Sequence, residues 1–176
     1  MKRALRIAAL PVAFLLLGME TMTLAPMATA PRVDLQRFMG DWYVIANIPT
    51  SFEKGAHNAM ESYRLSPDGT IATTFTYRKG GFDGPLKTMK PKGFVRDTES
   101  NAVWGMQFFW PFRSEYLVAY VSPDYTQTII ARTKLDYVWI MARTPAIPEA
   151  DYTRLQEQVA QLGYDTSKLQ RVPQRW

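Results

Sequence analysis

The chain holds one histidine and no cysteine among its 176 residues, and those two counts restrict its chemistry. One imidazole without a thiol cannot build a His/Cys metal cluster, and no Cys nucleophile exists. A Ser-His-Asp arrangement would have to bring His57 to Ser51, Ser62 or Ser114, none of which stands in a nucleophile-elbow motif. Gly80, Gly81 and Gly84 read as turn glycines, because no Gly-x-x-x-x-Gly-Lys phosphate cradle surrounds them. Glu61 could act as a general base, but it reads better as a carboxylate that meets a ligand head group or points to solvent. The expectation is a protein that is not an enzyme and holds no cofactor or metal.

The residues suited to binding are more numerous. Alternation along an extended segment sends Trp42, Val44 and Ala46 to one face. Counting back from Arg143 gives Met141, Trp139 and Tyr137, and counting back from Tyr63 gives Glu61 and Ala59. Thr73, Phe75 and Tyr77 form one face of a third segment. A slip of one residue would invert any of these sets. Together they describe an aromatic and apolar interior with tyrosine hydroxyls, one carboxylate, and room left by the two alanines. Such a lining suits an elongated apolar ligand with a polar head.

Strands must position those residues. The segment 40–48 is rich in aromatic and β-branched residues and stops at Pro49. Further strands are expected over 56–65, 70–77, 86–96, 102–109, 115–121, 126–133 and 137–143. Ser66-Pro67-Asp68-Gly69 is a turn with proline presetting φ and glycine taking the positive-φ position. No helical pattern separates the strands, which excludes βαβ crossovers. The one convincing helix, 148–162, starts at Pro148, carries Tyr152, Leu155, Val159 and Leu162 on one stripe, and stops at Gly163. A last short extended piece spans 169–172. The expected fold is all-β: an eight-stranded antiparallel up-and-down barrel with this helix packed outside. Closure removes both sheet edges and leaves an interior wide enough for side chains or one small ligand.

Residues 1–30 read as a signal peptide and 31–176 as one domain. Lys2, Arg3 and Arg6 precede an apolar stretch, Ile7 to Gly18, and Ala28-Thr29-Ala30 is a small-x-small cleavage site. Its loss, with Glu20, would lower the net charge from +5 to +3. That mild basicity does not argue for nucleic acid. Leu16-Leu17-Gly18-Met19 has the shape of a lipoprotein box with Met where the acylated Cys would stand. The expectation is an exported, periplasmic or secreted protein without an acyl anchor. The most basic patch, Arg78, Lys79, Lys87, Lys90 and Lys92, and the aromatic turn Phe109-Trp110-Pro111-Phe112 are candidates for head-group or peripheral membrane contact. The aromatic turn could instead mediate a homodimer.

Three short motifs fall in order along the chain. Gly40-Asp41-Trp42-Tyr43 resembles the first signature of the lipocalin family, whose Trp closes the barrel floor. Ser122-Pro123-Asp124-Tyr125 resembles the second, an Asp-Tyr turn. Trp139-Ile140-Met141-Ala142-Arg143-Thr144-Pro145 resembles the third, whose Arg lies across that Trp. Phe52-Glu53-Lys54-Gly55 and Trp110-Pro111-Phe112 are similar to bacterial and apolipoprotein D-like members, and the resemblance covers about residues 33–173. It implies Gly40, Trp42, Asp124, Tyr125 and Arg143 as structural signature residues. It also implies binding of a fatty acid or lysophospholipid, in envelope lipid maintenance under stress, by a monomer or homodimer. Other lipocalin-fold roles are an enzyme acting on lipid or a carrier of a tetrapyrrole or retinoid.

Overall fold

Strand β1 (Gly40–Ile48) is where the sheet begins and where it closes. The computed structural model describes residues 27–176, so the basic and apolar parts of the expected leader lie outside the described residues. After β1 come β2 (Ala56–Leu65), β3 (Ile71–Lys79), β4 (Leu86–Met89) and β5 (Lys92–Val95). Then follow β6 (Val103–Phe109), β7 (Phe112–Val121), β8 (Gln127–Ala131) and β9 (Val138–Ala142). All pairings are antiparallel, and β9 returns to pair with β1. The result is the closed eight-strand barrel that the alternation and the tight turns imply.

The fourth barrel position is shared by two strands. The single strand expected over 86–96 breaks at Lys90-Pro91, because proline has no N–H for a ladder. β4 pairs with the half of β3 that holds Phe75 to Arg78, and β5 with Ile71 and Ala72. Between them the Pro91 carbonyl accepts the Thr73 N–H at 3.2 Å. A two-residue strand, β10 (Gln170–Arg171), adds to β1 beyond the barrel.

Two cores result from the two faces of the sheet. One fills the floor and walls of the barrel, around Phe38, Trp42, Tyr63, Trp104 and Met141. The other lies outside, where helix α2 (Glu149–Gln161) packs Tyr152, Leu155 and Val159 against Ile45, Ile129 and Ile140. All five residues of β9 are buried for this reason. Trp139 and Met141 join the inner core, while Val138, Ile140 and Ala142 join the outer one. Gly163, at φ +96°, ends the helix.

A short helix, here α1 (Leu35–Phe38), precedes β1 and is capped by Asp34, whose Oδ1 accepts the N–H groups of Gln36 (2.9 Å) and Arg37 (3.2 Å). Upstream, Ala30 is buried in the inner core and donates its N–H to the Val118 carbonyl at 2.9 Å.

Candidate functional site

The floor is built around Trp42. Its Nε1 donates to the Phe38 carbonyl at 2.8 Å, and the Arg143 guanidinium lies 3.8 Å from its ring centroid. Arg143 also donates to five backbone carbonyls: Asp41 (2.8 Å), Arg37 (2.8 Å), Phe38 (3.1 Å), Met39 (2.8 Å) and Tyr125 (3.2 Å). It thereby ties α1, the start of β1 and the β7–β8 turn to the end of β9. Desolvation lowers its pKa, and Asp41 opposes that shift. Gly40 is required twice over: its φ is +93°, and a Cβ there would stand 3.3 Å from Arg143 Nη1. In the β7–β8 turn Tyr125 takes a positive φ of 61°, and its hydroxyl accepts the Asp34 N–H at 2.7 Å. Asp124 accepts from Ser122 and Thr126, which lowers its pKa. Phe38, Tyr63 and Trp104 complete the floor, with ring centroids 5.4–5.9 Å apart.

Above the floor lies a cavity of about 290 Å³, at the small end of the roughly 300–1,000 Å³ that ligand pockets occupy. Of the residues expected in the lumen, Glu61, Thr73, Phe75, Tyr137 and Trp139 line it. Val44, Ala59, Tyr63, Tyr77 and Met141 belong to the same inner core but lie behind the cavity surface. Ala46 does not face inward. The β1–β9 register shifts between Val44 and Ala46, a bulge that reverses the alternation, and Ala46 is buried in the outer core beneath α2. Asn47 is buried and pairs with Trp139 beyond that bulge.

Several lining residues escaped the sequence reading. Tyr116 and Met106 face the cavity, and alternation along 115–121 and 102–109 would have found both. Glu53 had no such signal. It sits in the loop after β1, yet is only 5% exposed: its Oε1 accepts Trp139 Nε1–H at 2.7 Å and its Oε2 the Thr50 N–H at 2.9 Å. Glu61 is likewise buried, and its Oε2 accepts hydrogen bonds from the Tyr63 and Tyr116 hydroxyls. Burial, then the charge of Glu53, raise the Glu61 pKa to about 8, against an opposing hydrogen bond from Tyr116. Tyr116 is itself pushed well up, mainly by burial and then by Glu61. His57 is not part of the cavity: its Nδ1 lies 3.2 Å from the Gly55 carbonyl, and its ring meets Phe82 edge-on.

The mouth is apolar and exposed. Phe109, Trp110 and Phe112 are 71%, 86% and 78% exposed at the β6–β7 turn, whose strands meet at the Phe109–Phe112 pair. Phe109 and Phe52 also line the cavity. The basic patch expected over 78–92 divides. Lys79 donates to the Phe52 (3.1 Å) and Lys54 (2.6 Å) carbonyls, Arg78 to the Gly84 carbonyl (3.1 Å), and Lys92 pairs with Asp68 at 3.1 Å. Lys87 and Lys90 stay exposed.

A closed antiparallel barrel sealed at one end and open at the other into an apolar lumen is a container for a small hydrophobic ligand. A family model described as a lipocalin-like domain matches residues 33–174, and the chain belongs to that family. It is 33% identical over 154 residues to temperature-induced lipocalin-1 of Arabidopsis thaliana, covering 81% of this chain and 80% of that protein. It is 25% identical over 146 residues to the outer membrane lipoprotein Blc of Vibrio cholerae, covering 81% and 83%. Among solved structures, the cockroach allergen Per a 4 superposes with a TM-score of 0.63 at 17% identity, covering 84% of this chain and 92% of that one, a likeness of fold.

Proposed function

We propose that the chain carries one single-chain amphiphile, a fatty acid or lysophospholipid, with its hydrocarbon in the lumen and its ionic head at the mouth. The observation that carries this is the cavity itself: a small apolar channel between Phe75, Met106 and Trp139, closed by an aromatic floor and opening among Phe52, Phe109 and Arg132. Its volume favours one chain over two. Arg132, paired with Asp136 at 3.4 Å, is the only cationic residue among the described residues that line it, and it follows β8 at the mouth end. An anionic head is therefore better placed there than beside Glu61. Membership of the lipocalin-like family supports a small hydrophobic cargo, and the relation to the outer membrane lipoprotein Blc supports an exported protein.

The exposed aromatic turn with its neighbour Arg113, and the exposed Lys87 on β4, extend this reading to loading from an anionic bilayer. Titration with dodecanoate or a lysophospholipid should change tryptophan fluorescence saturably, since Trp139 lines the cavity. No saturable change with either lipid rejects the carrier reading. Loss of an esterase activity on His57→Ala would favour an enzyme instead.

A further inference from the structure

The methyl end of a simple hydrocarbon chain would meet polar groups at the inner end of the lumen. Glu61 on β2, Thr73 on β3 and Tyr116 on β7 line the cavity at the levels just above the floor. The register places them there: Glu61 pairs with Trp42 on one side and Phe75 on the other, Thr73 with Tyr63, and Tyr116 with Trp104. Glu61 is 8% exposed, and both hydrogen bonds it accepts fall on Oε2; among the described residues Oε1 takes none. Among the described residues the Thr73 hydroxyl has only the Met106 sulfur at 3.9 Å, a weak acceptor. Donor and acceptor capacity thus faces an apolar channel unused. Covering such groups with hydrocarbon costs their desolvation without a hydrogen bond in return.

The other charged groups around the cavity already have partners. Glu53 is held by Trp139 and Thr50, Glu115 by the Thr133 N–H and hydroxyl, and Arg132 stands in ion-pair range of Asp136 at the mouth, although its Nε makes no hydrogen bond among the described residues. Tyr63 and Tyr116 face Glu61 directly, Tyr77 donates to the Phe52 carbonyl, and Tyr137 lies toward the mouth beneath Arg132. An anion pushed to the inner end would find the Glu61 carboxyl, already in the field of Glu53, and no counter-charge among the described lining residues. With its pKa raised to about 8, Glu61 keeps its proton at neutral pH and offers both a donor and an acceptor. A small neutral hydrogen-bonding group satisfies it best.

Resting on the carrier reading above, we propose that the inner end of the lumen is a hydroxyl subsite. Its preferred cargo is a single-chain amphiphile with a hydroxyl at its buried terminus, partnered by Glu61 and Tyr116, and its anionic head at the mouth.

The test compares dodecanoic acid with its ω-hydroxy derivative on the exported protein, by tryptophan fluorescence and calorimetry. The ω-hydroxy acid should bind wild type about tenfold tighter, the worth of one good buried hydrogen bond. Glu61→Leu should reverse that order, Glu61→Gln should keep most of it, and Tyr116→Phe should reduce it. Each variant is first checked for an unchanged near-UV circular dichroism spectrum, and Tyr116→Phe carries the test should Glu61→Leu fail to fold. Equal or tighter binding of the plain acid to wild type overturns the subsite, as does a hydroxyl preference that survives both Glu61→Leu and Tyr116→Phe. Failure of both acids and of lysophospholipid to bind at all sinks the carrier reading, and this subsite with it.

Discussion

Trp42, Gly40 and Arg143 each fail differently when replaced. Trp42→Ala removes one of the two fully buried indoles of the floor and should cost about 3–5 kcal/mol, read as a lower urea midpoint. Gly40→Ala strains a positive φ and crowds Arg143, so its loss should exceed that of Gly69→Ala, where φ is also positive but nothing stands within 4 Å of the added carbon. Glu61 gives a signature in pH. Its carboxyl titrates at 4.5 in the unfolded reference and at about 8 in the fold. Between those values the folded protein holds a proton that the unfolded chain has lost, so stability should fall as pH rises through this window and level off above it. Glu61→Gln should flatten that slope in denaturant midpoints taken from about pH 5 to pH 9. An unchanged slope would mean that Glu61 is not the group responsible.

At the scale of elements, β1 serves two cores, and the bulge after Val44 is what divides it. Ahead of the bulge Trp42 and Val44 face the lumen; beyond it Ala46 faces α2. Ala46→Leu should therefore overpack the helix interface and cost about 1–3 kcal/mol while leaving lipid affinity unchanged. Had Ala46 faced inward, the same substitution would have narrowed the cavity and weakened binding; fluorescence titration beside thermal melting separates the two. α2 itself is held by a few apolar side chains. Leu155→Ala, at a site with no exposure, should cost about 2–5 kcal/mol without altering the cargo preference. Proline decides two further element boundaries. Pro49 follows the end of β1, and Pro91 divides what composition alone presents as a single strand into β4 and β5.

For the whole molecule, the relevant asymmetry runs from floor to mouth. The floor is covered by α1 and locked by Arg143, whereas the mouth leaves Phe109, Trp110 and Phe112 to solvent next to the exposed Arg113. If that end meets a bilayer, Trp110→Ser with Phe112→Ser should abolish cosedimentation with vesicles containing anionic lipid, at unchanged melting temperature. Removal of Lys87 and Arg113 should weaken it and reduce its salt dependence, because screened surface charges supply that part of the attraction. Wild-type binding that is equal on neutral and anionic vesicles would remove the electrostatic half of this proposal.

Much of this was legible along the chain because it rests on local rules. Alternation and turn residues specify strands, the absence of helical stretches between them specifies antiparallel order, and the spacing of Tyr152, Leu155 and Val159 specifies the outer helix. The signature motifs announce Gly40, Trp42 and Arg143 as floor residues, and the chemistry agrees, since an indole needs cover and a guanidinium can supply it. Tertiary structure alone decided which residues touch the cavity. A bulge shifts parity by one without any mark in composition, so Ala46 left the lumen. A loop glutamate reads as solvated until a tryptophan 86 residues away offers it a hydrogen bond, so Glu53 entered. Glu61 could be named from the sequence, but its raised pKa could not, because desolvation and the field of Glu53 exist only after the barrel has closed around both.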